Sequence, residues 1–136
     1  MCADIGMVAV DTNVLVRLLT GDNPSQLKAS MELFATQDVF IAHTVLLETE
    51  WVLRAAYDLT PTDVVDAFRR LLGLRNVSVA QAQTVALAVD WHELGLDFAD
   101  ALHLALCQHL PTFTTFDGAF IKRAKTLGTC RVQKGS

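Results

Sequence analysis

The sequence has little of what marks a nucleic-acid-coating or membrane protein. One tyrosine and two tryptophans among 136 residues argue against a surface rich in base-stacking aromatics. Lysine and arginine number 11 against 15 aspartates and glutamates, a net charge of −4, which excludes a broadly basic sleeve. A local basic patch beside an acidic, metal-charged site stays open. No apolar run reaches the roughly 18 residues a membrane helix needs. Met1 to Gly6, a short N-terminal tail, lack the positive region and long apolar segment of a secretory signal. Cys2, Cys107 and Cys130 form no C-x-x-C pair and cannot all pair internally, so the expectation is a reduced, cytoplasmic protein without structural zinc.

What is present is a core. Apolar residues make up 51% and charged residues 19%, enough for a single folded domain over 1–136. Gly135-Ser136 reads as a cloning remnant and carries no weight. Short apolar runs alternate with helical patterns. Strands are expected at 7–10, 39–42, 77–79, 111–115 and 130–132. Helices are expected from Asn13 to Thr20, after Asn23-Pro24, from a Thr44 cap to Tyr57, and from Thr60-Pro61 to Gly73. Further helices are expected over 80–94, 98–109 behind an Asp97 cap, and 117–127. Strands alternating with helices in one short chain imply βαβ units and a parallel sheet covered on both faces.

In such sheets ligands bind beyond the carboxyl ends of the strands. Asp11 follows the first strand and Asp117 follows Thr112 to Thr115. Each is either an ordinary helix-opening aspartate or part of a site. Glu48, plotted at 100° per residue, falls in an arc with Val45, Trp51, Val52 and Ala55, where an unpaired carboxylate needs a partner or a cation. Glu50 lies four residues before Arg54 and is expected to be a solvated charge in an i,i+4 ion pair. Asp97 fits a cap. Asp100 sits at the mouth of a helix that is apolar nearly all round, as a deeply packed helix is. Asp11, Glu48, Asp100 and Asp117 form an all-oxygen set suited to Mg²⁺ or Mn²⁺ and to phosphoester hydrolysis. The absence of histidine from the set disfavours catalytic zinc.

At these residues the sequence resembles the PIN-domain ribonucleases, specifically the VapC-type toxins of VapBC toxin–antitoxin systems. The matching stretches are Val10-Asp11-Thr12-Asn13-Val14-Leu15-Val16-Arg17, Leu47-Glu48-Thr49-Glu50-Trp51-Val52-Leu53-Arg54, Asp97-Phe98-Ala99-Asp100-Ala101-Leu102-His103 and Thr115-Phe116-Asp117. The resemblance implies a three-layer α/β/α sandwich around a five-stranded parallel sheet. It implies an acidic quartet at Asp11, Glu48, Asp100 and Asp117 holding Mg²⁺ or Mn²⁺, helped by Asn13 and Thr115, that cuts single-stranded or loop RNA. It also implies a homodimer and a VapB-type antitoxin that inserts a segment carrying arginine toward the carboxylates.

Arg17, Arg54, Lys122, Arg123 and Lys125 are candidate RNA-backbone contacts or simply solvated charges. His103 is expected to be packed and hydrogen-bonded, and Trp51 and Tyr57 to be core or dimer-surface aromatics. Two readings compete with the nuclease. One is a doubly wound phosphatase or phosphotransfer domain with Asp11 as nucleophile, although Asn13 stands where the first wants a second aspartate and Lys122 is mid-helix. The other is a non-catalytic PIN-like binding module.

Overall fold

A computed structural model describes residues 6–135. The chain divides into two compact units, the first ending at Ala80 and the second beginning at Gln81.

In the first unit β1 (Met7–Ala9), β2 (Asp38–Ile41) and β3 (Val77–Val79) form a parallel sheet in that order. Val8 pairs with Val39, and Phe40 with Ser78. Between β1 and β2 run α1 (Thr12–Thr20) and α2 (Pro24–Thr36), and between β2 and β3 run α3 (His43–Ala55) and α4 (Pro61–Leu72). The local causes are explicit. Asp11 caps α1 by accepting from the Val14 N–H, and Gly21 ends it in the left-handed region at φ 65°, donating to the Arg17 carbonyl. Asn23 caps α2 with Pro24 following, as expected. In α4, Thr60 and Asp63 cap each other reciprocally, and Val64, Val65, Phe68 and Leu71 form a stripe no more than 2% exposed. Each such side chain contributes about 1.5–3 kcal/mol by leaving water. Thr44, expected as the cap of α3, lies inside its first turn instead; β2 stops at Ile41, Ala42 takes the cap position, and no side chain caps that end.

In the second unit α5 (Ala82–Glu93) and α6 (Phe98–Leu106) pack on each other, followed by β4 (Thr112–Thr115), α7 (Gly118–Ala124) and β5 (Arg131–Lys134). Strands β4 and β5 are parallel, with Phe113 opposite Val132. Phe98, Leu102, Leu104 and Val85 fill the core. All three helices are shorter than their sequence patterns. Gln81 adopts φ 52°, so α5 cannot begin at Ala80. Beyond Leu106 the Gln108 side chain bonds the Leu104 carbonyl at 3.0 Å and the Thr129 N–H at 2.7 Å, taking over helix-ending hydrogen bonds. Gly135, set aside as a remnant, extends the β4–β5 ladder by donating to the Thr115 carbonyl at 2.9 Å; Ser136 lies outside the described residues, as does Cys2.

All five expected strands exist and all pairings are parallel, but they pair as three and two rather than as one five-stranded sheet. Runs of three or four residues declare a strand but carry little information about its non-local partner.

Candidate active site

Each unit carries one pair of the candidate carboxylates. In the first, Asp11 stands at the end of β1 in extended conformation, and one of its oxygens accepts from the Val14 N–H at 3.2 Å. Its second oxygen has no hydrogen-bond partner among the described residues. Thr12, only 8% exposed, turns its hydroxyl to Glu48 on α3, donating to Oε1 at 2.5 Å. That bond ties Glu48 to the residue following Asp11. Glu48 itself is exposed, as is Asn13.

This reverses the sequence reading of α3. Trp51 is 58% exposed and Ala55 is exposed, so the arc around Glu48 faces water. The inward stripe is Leu46, Thr49, Glu50 and Leu53, at i, i+3, i+4 and i+7. Glu50, expected at the surface, is 3% exposed and meets Arg54 at 2.9 Å. The expected i,i+4 pair therefore forms, but with a buried acid. Of the two glutamates, Glu48 is the one without a cationic partner among the described residues.

In the second unit Asp97 caps α6 by accepting from the Asp100 N–H at 3.2 Å. Asp100 is half-buried. Burial, then the charges of Asp97 and Asp117, push its carboxyl above the ordinary aspartate range, with His103 pulling the other way. Asp117 follows β4, caps α7 through the N–H groups of Ala119 and Phe120, and donates its own N–H to the Thr115 hydroxyl at 3.1 Å. Thr115 thus fixes the turn that carries Asp117. His103, expected to be packed, is exposed in the last turn of α6.

The basic candidates are mostly engaged. Arg17 pairs with Asp22 at 3.0 Å and also donates to Gln26 and the Tyr57 hydroxyl. Tyr57 in turn donates to Asp22, and this bond, with that of Thr20 and the charge of Arg17, holds the Asp22 carboxyl below its usual range. Tyr57 is therefore neither a core filler nor a free surface ring. Arg54 is held by Glu50, and Arg123 donates to the Gly95 carbonyl at 3.0 Å. Lys122 and Lys125 are exposed. A groove of about 360 Å³ lies beside Asp11, lined by Asn13, Val14, Arg17, Gln26, Ala29 and Ser30. A wider recess of about 610 Å³ at the amino end of β2 contains none of the candidate residues.

The model of the PIN domain family matches residues 8–126, a span containing all four acids, Asn13 and Thr115. The chain belongs to the PIN domain family. PIN domains are generally metal-dependent nucleases, and the seven helices and parallel strands among the described residues are consistent with the α/β/α sandwich expected of this chain. No curated protein and no solved structure matches it. No helix among the described residues is long and apolar enough to cross a membrane.

By donor type each pair of acids suits a hard divalent cation: oxygens only, no ion pair to any of the four among the described residues, and in the second unit Asp100 already disfavouring its own charge beside Asp117. No three histidine, cysteine, aspartate or glutamate side chains are grouped closely enough to hold an ion among the described residues.

Two residues at this site escaped the sequence reading. Thr12 gave no signal beyond a polar side chain where α1 turns inward. Phe116, between Thr115 and Asp117, is 78% exposed, and its signal was a large apolar residue in a turn.

Proposed function

We propose that this PIN domain is a Mg²⁺- or Mn²⁺-dependent endoribonuclease, the toxin of a type II toxin–antitoxin pair. The observation that carries the nuclease reading is that Asp11, tied through the adjacent Thr12 to Glu48, and Asp100, beside Asp117, are four carboxylates with no ion pair to a lysine or arginine among the described residues. Among them the half-buried Asp100, beside Asp117, is the one whose charge is disfavoured, and a cation would offset that. The proposed metal ligands are these four side chains.

When bound, the metal supplies a Lewis acid that lowers the pKa of an attacking water and offsets charge on the phosphate. The chain's own groups do the orienting. Thr12 fixes the Glu48 carboxylate, Thr115 fixes the Asp117 turn, and the Asn13 amide lines the groove beside Asp11, where it can donate to a phosphate oxygen. Lys122 is the exposed cation best suited to a backbone phosphate, with Arg17, Arg54 and Arg123 contributing only if substrate displaces their present partners. The toxin role, a VapB-type antitoxin whose arginine meets the carboxylates and a homodimer rest on the motif resemblance, and a cytoplasmic location on the cysteine pattern.

The test is cleavage of labelled RNA by the purified chain with Mg²⁺, Mn²⁺ or EDTA, with Asp11→Asn alongside. Cleavage that needs metal and Asp11 supports the reading. Cleavage that survives EDTA or Asp11→Asn refutes it.

A further inference from the structure

Phe116 is the most exposed large apolar side chain among the described residues, at 78%, and it stands between Thr115 and Asp117. Its position offers an ordinary structural job. As the residue before the Asp117 cap it should staple α7 by packing on Ile121, four residues into the helix. At 78% exposure little of the ring is buried in such packing. The other aromatics of this unit behave differently: Phe113 and Phe120 meet edge to face at 5.4 Å, and Phe120 is only 4% exposed. The Phe116 ring instead lies by the backbone at the end of the β4–β5 ladder, where a Cβ on Gly135 would come within 2.7 Å of its Cε1 atom. The turn beneath it is fixed by the Thr115–Asp117 and Asp117–Phe120 hydrogen bonds. A single exposed apolar side chain is ordinary by itself. What distinguishes this ring is its place on a fixed turn directly before a candidate catalytic acid, where it offers a face to a ligand.

We propose that Phe116 is a nucleobase platform: an unstacked base of single-stranded RNA lies on its ring while the adjoining phosphate reaches the Asp100–Asp117 carboxylates. The proposal rests on the nuclease reading and deepens it by naming a side chain that holds the substrate, since a base must leave a duplex stack to reach the ring. Stacking is sequence-tolerant because every base has a π face. Phe116 is then a substrate-contact residue that sets affinity and register, not one that takes part in bond cleavage.

The experiment measures binding of a short labelled single-stranded oligoribonucleotide in EDTA. It is repeated with the same oligomer carrying one abasic position, moved stepwise along the chain. Phe116→Ala should weaken binding of the intact oligomer about 5- to 150-fold. At one abasic position the wild type should lose the same factor and Phe116→Ala should lose little more. Phe116→Trp should bind at least as well as wild type, and Phe116→Leu, which keeps apolar area without the ring, should resemble alanine. With metal present, KM should rise in Phe116→Ala while kcat changes little. Equal affinities of wild type and Phe116→Ala, or a leucine variant that binds like wild type, would overturn the platform. So would a Phe116→Ala chain that loses only self-association in sedimentation, which would assign the ring to a second copy. A wild type that cuts RNA with an indifferent Phe116→Ala defeats the platform alone; a wild type that neither binds nor cuts defeats the nuclease reading with it.

Discussion

Replacing Asp100 by asparagine sets two effects against each other. At the third position of α6 a carboxylate gains about 0.3–1 kcal/mol from the helix dipole. Partial burial and the charges of Asp97 and Asp117 work against that gain, and His103 offsets only part of them. The carboxyl is pushed above its ordinary value, so the unfavourable side wins. A folded-state pKa above the unfolded one means that the folded chain binds more protons between the two. Stability is therefore lost as pH rises through that window and stays lost above the folded value. An asparagine side chain at this position does not titrate, so the variant would escape the loss. Because Asp100 is only half-buried, water screens the repulsion, and the expected gain for Asp100→Asn at neutral pH without metal is about 0.5 kcal/mol. For a chain of this size that is a rise in Tm of roughly 1–4 °C.

Metal should invert the comparison. A cation that binds only the folded chain stabilises it by about 2.7 kcal/mol at a hundred times its Kd, and the asparagine variant, lacking one proposed ligand, should gain far less. Thermal melts of both proteins in EDTA and in Mn²⁺, at neutral pH and at about pH 4, read all of this. The EDTA advantage of the variant should shrink toward the acid end, as the wild-type carboxyl is protonated first in the folded chain and then in the unfolded one. A variant that melts below wild type in EDTA at neutral pH, or that gains as much from Mn²⁺, would refute the electrostatic account of this residue.

Arg54→Ala should cost about 2 kcal/mol in urea unfolding, because it strips a cation from the buried Glu50 carboxylate; the figure lies below that for a fully buried pair since the Arg54 side chain is 46% exposed. Adding Glu50→Gln to it should recover part of the loss, and a single variant as stable as wild type would sink the pairing argument. Thr12→Val keeps the buried shape but removes the donor to Glu48. It should cost about 1 kcal/mol and lower the Mn²⁺-dependent rise in Tm, whereas an unchanged metal response would separate Glu48 from the site.

The difference between α4 and α3 marks where the sequence was legible. Everything that makes α4 is local: Thr60 and Asp63 three apart, Pro61 between them, and an unbroken apolar stripe from Val64 to Leu71. Helix α3 has comparable spacing, but its inward stripe includes Thr49 and Glu50 while Trp51 faces water. Apolar character alone pointed to the wrong face, because the burial of Glu50 depends on Arg54 sharing the cost and not on its own transfer energy. The candidate acids were legible for a different reason. Asp11 and Asp117 each follow a strand and open a helix, so sequence order alone brings them to strand carboxyl ends. The links that hold the acids were not legible. The Thr12–Glu48 bond spans 36 positions, and the repulsion between Asp100 and Asp117 spans a helix end and a strand. Phe116 shows the same limit from the other side. A phenylalanine next to a helix cap is ordinarily a staple, and only its exposure in the folded chain turns it from a structural residue into one with a surface to offer.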